Sequence, residues 1–157
     1  MSRRHSAESR NIKPDPKYDN VLLARFINNI MVDGKKTIAE KIVYGAMDRM
    51  TKKYSVDAFE TFKESMNNVK PYVEVKSVRV GGANYQVPSP VNEKRGYRLA
   101  TRWIIKSARK RSGKSMIDNL ADELFDAANN RGASMKTKED TRKMAEANKA
   151  FSHFAQR

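Results

Sequence analysis

The spacing of apolar residues changes once along this chain, and that change constrains the fold more than any other feature. Residues 19–69 and 92–154 place apolar side chains three or four positions apart, as amphipathic helices do. Between them, in residues 72–87, valines and tyrosines alternate with polar residues, which is the spacing of strands. Gly81 and Gly82 divide that segment. The sequence therefore predicts a mainly α fold: a single helical domain with one protruding two-stranded antiparallel β-hairpin at about 72–88.

Caps and helix breakers delimit six helices. Asp33-Gly34 ends the first helix, Asp57 with Glu60 forms a capping box for the third, and Pro71 ends it. Ser115 with Asp118 and Thr137 with Asp140 are the caps expected for the last two, and Thr37 for the second. The expected helices are about 20–32, 36–54, 57–70, 92–111, 116–130 and 138–154.

One apolar stripe on each helix is expected to be buried. The stripes are Leu23, Phe26, Ile27, Ile30 and Met31; Ile38, Ile42, Ala46 and Met50; Phe59, Phe62, Met66 and Val69; Tyr97, Ala100, Thr101, Ile104, Ile105 and Ala108; Ile117, Leu120, Leu124 and Ala128; and Met144, Ala147, Phe151 and Phe154.

The hairpin has an irregular pattern. Its apolar parity changes at Ser77, because Val75 and Val78 fall on opposite faces, and this indicates a bulge or a twist. Residues 81–84 are expected to form the turn and residues 85–87 the return strand. An isolated ribbon is only marginally stable unless it packs on something or binds something. Upstream, residues 1–18 are polar and contain Pro14 and Pro16, so they predict a basic extended arm before the helical domain at 19–157.

The charge is strongly positive and unevenly distributed. The chain has 32 Lys+Arg and 18 Asp+Glu, a net charge of +14, which predicts a polyanionic partner. Residues 70–114 hold 12 basic and 2 acidic residues, so 12 − 2 = +10 lies in the hairpin and the fourth helix. The fifth helix is acidic, and Asp118, Asp122, Glu123 and Asp126 are interpreted as a solvated stripe favoured by the helix dipole. No apolar run reaches the roughly 18 residues of a membrane span.

The fourth helix has one cationic face. Its members are Arg95, Arg98, Arg102, Lys106 and Arg109, and Glu93 alone opposes them on that helix. A solvated charged face is one reading, but uncompensated like charges repel one another, and this favours contact with phosphates. Lys76 and Arg79 extend the positive charge onto the hairpin. Tyr85, beside the hairpin tip, either stacks on a base or covers the ribbon.

Catalytic and metal-binding patterns are missing. The chain has no Cys, which excludes thiolate zinc sites and cysteine nucleophiles. Gly113-Lys114-Ser115 resembles the end of a P-loop, but the first glycine would fall at Ala108. His5 and His153 lie far apart. We therefore expect no enzyme activity, no cofactor and no metal. Three readings remain: an RNA-binding protein, an architectural DNA-binding protein with a basic β-arm, and an RNA-processing enzyme, the last disfavoured.

Several stretches also resemble a known family over essentially the whole chain. They are PDPK at 14–17, MVDGKK at 31–36, VEVKS at 73–77, RVGGANYQVP at 79–88, ATRWII at 100–105 and MAEANKAF at 144–151. On these stretches the chain resembles the small-subunit ribosomal protein seven family of the bacterial and organellar type. It departs from the family's pattern at Val78, which replaces an arginine, at Arg142, which replaces a histidine, and at the last three residues.

The resemblance implies a cytoplasmic ribosomal protein that binds the 3′ major domain of 16S rRNA and organises the head of the subunit. It places the hairpin near the exit-site tRNA and the mRNA exit path, beside ribosomal protein eleven, and in some members adds repression of the protein's own mRNA. With the charge pattern, it predicts as rRNA-binding Arg3, Arg4, Arg10, Lys13, Lys35, Lys36, Lys76, Arg79, Arg95, Arg98, Arg102, Lys106, Arg109, Lys110, Arg111, Lys114 and Arg142. The residues expected near tRNA and mRNA are Arg79, Gly81, Gly82, Asn84 and Tyr85.

Overall fold

A computed structural model of the protein describes residues 11–156, with side chains described to residue 154. Within these residues the chain forms a mainly α structure with one two-stranded antiparallel sheet between the third and fourth helices, as predicted. The elements are α1 (Val21–Ile30), α2 (Lys36–Tyr54), α3 (Ala58–Val69), β1 (Val73–Val80), β2 (Ala83–Pro90), α4 (Glu93–Lys110), α5 (Met116–Ala128), α6 (Ala133–Ala147) and a C-terminal 3₁₀ helix (Lys149–Gln156). The chain divides into two compact units, one ending at residue 40 and one beginning at residue 41.

The first unit contains α1 and the turn that follows it. The Asn20 side chain caps α1 by accepting a hydrogen bond from the Leu23 amide at 3.0 Å. The four apolar residues expected inside, from Leu23 to Ile30, are buried, and Met31 beyond the helix end is half-buried. Asp33 and Gly34 both adopt positive φ, at 53° and 72°, so the predicted stop is a left-handed turn.

The buried side of α2 differs from the predicted stripe. Ala39, Val43, Ala46, Met47 and Met50 are buried, whereas Ile38 is 52% exposed and Ile42 is half-buried. The helix has apolar residues on two adjacent stripes, and periodicity alone does not choose between them. The predicted cap was also wrong, because α2 begins at Lys36 and Thr37 therefore lies inside its first turn.

The hairpin is regular from base to tip. Its pairing runs without interruption from Val73 opposite Pro90 to Val80 opposite Ala83, so the predicted bulge was wrong. Gly81 and Gly82 alone make the turn, at φ values of 57° and 90°. Residues 83–84 therefore belong to β2, which also extends past the predicted end at 87. Its prolines are tolerated because β2 is an edge strand.

The change of apolar parity at Ser77 has a different cause. Val78 lies opposite Tyr85 in the register, and both project from one face of the ribbon. The C-terminal 3₁₀ helix packs against β2, where the Tyr85 ring centroid lies 5.4 Å from that of Phe151 and 5.0 Å from that of Phe154. The outer half of the ribbon is thus apolar on the face that this segment covers. Of the two readings for Tyr85, the structure supports the one in which it covers the ribbon.

The last helix is shifted from its predicted position. α6 begins at Ala133, five residues before the predicted start, and gives way to the 3₁₀ helix after Ala147. Thr137, the expected cap, instead donates its hydroxyl to the Ala133 carbonyl inside the helix, at 2.9 Å. Met144 is 53% exposed and Ala147 is exposed, so this part of the predicted stripe was wrong.

The true cap of α6 comes from another helix. Gly132 precedes α6 at φ 94° and offers no side chain, so the cap is supplied by the fully buried Glu123 of α5. Its Oε1 accepts hydrogen bonds from the Ser134 amide at 2.9 Å and the Ser134 hydroxyl at 2.6 Å. Its Oε2 accepts from Nε of Arg111, which ends α4, at 2.8 Å. One carboxylate therefore joins α4, α5 and α6.

The remaining acidic residues of α5 are also engaged, so the predicted solvated stripe was wrong. Asp118 pairs with Arg49 at 2.9 Å, Asp126 pairs with Arg111 at 2.5 Å, and Asp122 accepts hydrogen bonds from three groups. These are Lys53 at 2.7 Å, Lys114 at 3.0 Å and the Tyr54 hydroxyl at 2.8 Å. Burial raises the pKa of Asp122, but these hydrogen bonds outweigh burial and lower its pKa well below the usual value.

We predict that Glu123→Gln lowers the free energy of unfolding by about 3 kcal/mol, because it breaks a buried ion pair and weakens the α6 cap. Urea unfolding followed by circular dichroism measures the change. Glu64→Gln, an exposed carboxylate on α3, is the control and should change stability by less than about 0.5 kcal/mol. Equal losses in the two variants would contradict the capping role.

We predict that Asp122→Asn lowers the free energy of unfolding by about 1–3 kcal/mol at pH 7. The native pKa of Asp122 is depressed, so its contribution is complete above the unfolded value near about 3.9 and is lost as the pH falls below it. The difference between wild type and variant should stay constant from about pH 7 to about pH 4 and shrink at lower pH. Asp140→Asn, at an exposed position of α6, is the control. A stability difference that grows on acidification would contradict the depressed pKa of Asp122.

Candidate nucleic-acid interface

Helix α4 separates a buried face from a cationic one. Asn92 caps it, accepting a hydrogen bond from the Arg95 amide at 2.9 Å. The predicted core residues from Ala100 to Ala108 are buried and Tyr97 is half-buried. The opposite face is exposed and consists of the predicted residues Arg95, Arg98, Arg102, Lys106 and Arg109. The sequence thus identified both faces of this helix correctly.

Three members of this face form a row of available charge. Arg98, Arg102 and Lys106 are exposed, and no ion pair among residues 11–156 joins them to a carboxylate. They follow one another every four residues, which spaces them about 6 Å apart along the helix axis. Lys110 continues the exposed positive surface at the end of α4, whereas Arg109 interacts with other groups of the protein. We call Arg98, Arg102 and Lys106 the cation row.

Arg95 differs from the cation row because it is held by Glu74 of β1. Its Nε lies 2.8 and 2.7 Å from the two carboxylate oxygens, and Nη2 lies 2.7 Å from Oε2. Lys76 Nζ approaches the same carboxylate at 3.2 Å. The Arg95 hydrogen bond, helped by Lys76, lowers the pKa of Glu74 although burial opposes it, and the same bond raises the pKa of Arg95. This cluster joins the base of the ribbon to the first turn of α4.

The start of α4 is also attached to the end of α3. Lys70 lies over the Tyr97 ring, 4.5 Å from its centroid, and Tyr97 donates its hydroxyl to Asn67 at 2.8 Å. A Cβ at Gly96 would meet the Lys70 side chain at 2.8 Å, so this close approach requires glycine. The helix that presents the cation row is therefore anchored at its N-terminus independently of the ribbon.

The tip of the ribbon is exposed and small. Gly81 and Gly82 have open space around them. Arg79 and Asn84 are exposed and form the second cross-strand pair from the turn. The tip itself offers no large apolar side chain that could act as a wedge. Tyr85, the fifth residue expected near tRNA and mRNA, packs against the C-terminal 3₁₀ helix.

Other predicted rRNA-binding residues are paired within the protein. Arg111 binds Glu123 and Asp126, and Lys114 binds Asp122. Burial alone would lower the pKa of Arg111, but the hydrogen bonds to Asp126 and Glu123 raise it. Arg142 on α6 pairs with Glu139 at 2.7 Å and Glu146 at 3.3 Å. These cations contribute less available charge than their number suggests.

The predicted residues of the first unit are exposed. They are Lys13, Lys35 and Lys36, and Lys36 makes a loose pair with Glu40 at 3.9 Å. Arg3, Arg4 and Arg10 lie outside the described residues.

Sequence reasoning missed the role of Glu74. Its signal was available, because it is one of only two acidic residues among the 12 basic ones of residues 70–114. The other, Glu93, is 73% exposed, whereas Glu74 neutralises cations inside the fold. Which cation it pairs with depends on the hairpin register, and the register could not be read from the sequence alone.

Metal and membrane sites find no support in the described part of the chain. Among residues 11–156 no group of three or more His, Asp or Glu side chains is arranged to hold a metal ion. No described helix is both long and apolar enough to span a bilayer.

Comparison with known proteins gives consistent matches. The family profile described as Ribosomal protein S7p/S5e matches residues 2–149. The chain is 69% identical to the small ribosomal subunit protein uS7 of Rickettsia bellii (strain RML369-C), over 99% of this chain and 95% of that protein. It is 67% identical to uS7 of Rickettsia prowazekii (strain Madrid E), over 99% of this chain and 97% of that protein.

Proposed function

We propose, from the premise that the chain belongs to the ribosomal protein S7p/S5e family, that it anchors small-subunit rRNA through the cation row of α4. As a member of this family it is a structural component of the small ribosomal subunit, not an enzyme, and it binds 16S rRNA and neighbouring small-subunit proteins. By its similarity to bacterial relatives, it belongs to the cytoplasmic ribosome of a bacterium.

One observation supports this proposal above the others. Arg98, Arg102 and Lys106 are exposed without an ion-pair partner in the described chain, although other cations nearby are neutralised. Leaving three like charges unpaired on one helix face is unfavourable unless a polyanion binds there. RNA helices bury their base edges in a deep, narrow groove, so contacts to phosphate and sugar are the expected mode of recognition.

We assign phosphate contacts to the predicted cations that are exposed and not neutralised by a carboxylate. Arg98, Arg102, Lys106 and Lys110 supply the phosphate contacts of α4, and Arg79 supplies one from the ribbon. Lys13, Lys35 and Lys36 add contacts from the first unit, and Arg3, Arg4 and Arg10 stay predictions on the sequence alone. Arg111, Lys114 and Arg142 contribute mainly through structure, because carboxylates already neutralise them.

We further propose the finer role that the resemblance implies. The protein binds the 3′ major domain of 16S rRNA and organises the head of the subunit during assembly. The ribbon tip, with Arg79, Gly81, Gly82, Asn84 and Tyr85, lies near the exit-site tRNA and the mRNA exit path, beside ribosomal protein eleven. The small and exposed tip supports this, because glycines let a backbone approach another molecule closely. Binding to its own mRNA would use the same surfaces.

The specificity of the protein is tested by competition. Its affinity for head-domain rRNA should exceed that for a scrambled RNA of equal length and for duplex DNA, at each point of a salt series. Equal affinity for all three would overturn the proposal of specific rRNA binding. Preference for duplex DNA would favour an architectural DNA-binding protein.

We predict that Arg98→Ala/Arg102→Ala/Lys106→Ala weakens head-domain rRNA binding and flattens its salt dependence. Each phosphate contact contributes about 0.7–0.9 to the slope of log affinity against log salt, so the slope should fall by about 2–3. Filter binding over a salt series measures it. Lys41→Ala/Lys52→Ala/Lys63→Ala removes equal charge from α2 and α3 and should leave the slope nearly unchanged. A slope that is the same in wild type and row variant would refute the assignment.

We predict that a shortened ribbon retains most rRNA binding but changes tRNA handling. Deleting Arg79, Val80, Ala83 and Asn84 removes two cross-strand pairs and keeps the two-glycine turn between Val78 and Tyr85, so the register is preserved. Head-domain rRNA binding should lose only the Arg79 contact, so its salt slope should fall by about 1 and not by the about 2–3 of the row variant, whereas reconstituted subunits should show altered retention of exit-site tRNA. Loss of rRNA binding would show that the tip contributes to anchoring.

A further inference from the structure

The buried carboxylate of Glu74 lies where a negative charge should weaken RNA binding. The side chain is 9% exposed, and it belongs to β1 at the base of a ribbon whose other charged residues are Lys76 and Arg79. Beside it runs α4 with the cation row. A carboxylate that served no purpose here would oppose every phosphate that approaches, so its contacts require an explanation.

Arg95 and Lys76 hold the Glu74 carboxylate between them, and we call these three residues the clamp. Arg95 binds both carboxylate oxygens through Nε and adds Nη2 at 2.7 Å, which is a charge-assisted arrangement with fixed geometry. Lys76 binds the same carboxylate from its own strand, at 3.2 Å. A single backbone hydrogen bond, from the Val91 amide to the Tyr72 carbonyl at 3.0 Å, continues the ladder below the sheet. The side-chain clamp therefore ties the ribbon to the helix that follows it.

The clamped cations remain accessible to a ligand. The Arg95 side chain is 49% exposed and that of Lys76 is 54% exposed. A guanidinium has five N–H donors, and the contacts with Glu74 use one on Nε and one on Nη2. Three donors of Arg95 are left for a phosphate, and their direction is set by the carboxylate.

We infer that Glu74 is a positioning residue for RNA binding: it aligns Arg95 and Lys76 toward the phosphates that the cation row of α4 also contacts. This rests on the proposed function and deepens it. Without Glu74, both side chains regain rotational freedom that RNA must remove on binding, and the ribbon loses its side-chain link to α4. The protein therefore binds RNA better with this negative charge than without it.

The inference makes a prediction opposite to that of simple electrostatics. Glu74→Gln raises the net charge by one, so charge alone predicts tighter binding. Positioning predicts that affinity for head-domain rRNA falls by about fivefold or more. Glu93→Gln is the matched control, because Glu93 lies in the first turn of α4, is 73% exposed and contacts Lys70 only at 3.5 Å. It makes the same charge change without a clamp and should bind as tightly as wild type or more tightly.

A double-mutant cycle separates positioning from general loss of stability. In the Arg95→Gln background, Glu74→Gln should reduce rRNA affinity by less than it does in the wild type, because Lys76 alone is then left for Glu74 to position. Additive losses would overturn the inference, and so would wild-type or tighter binding by Glu74→Gln. Circular dichroism checks that each full-length variant folds, which we expect because Lys70 and Tyr97 hold the start of α4 independently.

If Glu74→Gln does not fold, Glu74→Asp replaces it. The shorter carboxylate keeps the net charge but withdraws from Arg95, so weaker rRNA binding is again expected and unchanged binding would overturn the inference. A different result would refute the proposed function: the wild-type protein itself would show no preference for head-domain rRNA over a scrambled RNA. A wild type that does prefer it, together with an equally tight Glu74→Gln, would overturn the positioning role alone.

Discussion

The second unit depends on the buried carboxylate of Glu123. It caps α6 through Ser134, because Gly132 before the helix has no side chain that could do so, and it binds Arg111 where α4 ends. A buried charge without partners is strongly unfavourable, so Glu123 favours the arrangement in which the end of α4 and the start of α6 meet at the middle of α5. Because α4 is held at its C-terminus by this contact and at its N-terminus by Lys70 and Tyr97, its exposed face is a rigid platform.

Pairing with carboxylates also divides the positively charged residues into two classes. Carboxylates of α5 neutralise Arg49, Lys53, Arg111 and Lys114, and these cations connect helices. The cation row has no such partners in the described chain and faces outward. The net charge of +14 therefore does not show how strongly the attraction for a polyanion is localised on one face of the protein. Arg95 and Lys76 belong to neither class, since Glu74 neutralises them at the edge of the surface assigned to RNA.

Local signals in the sequence predicted the elements well and their tertiary contacts poorly. The Asp57 cap, the Ser115 cap and both faces of α4 were correct because each depends on residues within one or two turns. The start of α6 was missed because its cap, Glu123, lies on α5, 11 residues before Ser134. The bulge predicted at Ser77 is not present. The apolar pattern changes there because the C-terminal segment covers one face of the outer half of the ribbon. The site followed the same rule: the row was evident, whereas the pairing of Glu74 with Arg95 required the fold.

The central claim is that, Arg95 and Lys76 beside Glu74 excepted, internal ion pairing separates the cations that bind RNA from those that hold the fold. Lysine acetylation footprinting of the full-length protein, free and bound to head-domain rRNA, tests it most directly. Lys106 and Lys110 should lose reactivity when RNA binds, while Lys53 and Lys114, paired with Asp122, should keep the reactivity they have in the free protein. Protection of Lys53 and Lys114 with unchanged reactivity of Lys106 and Lys110 would contradict the account.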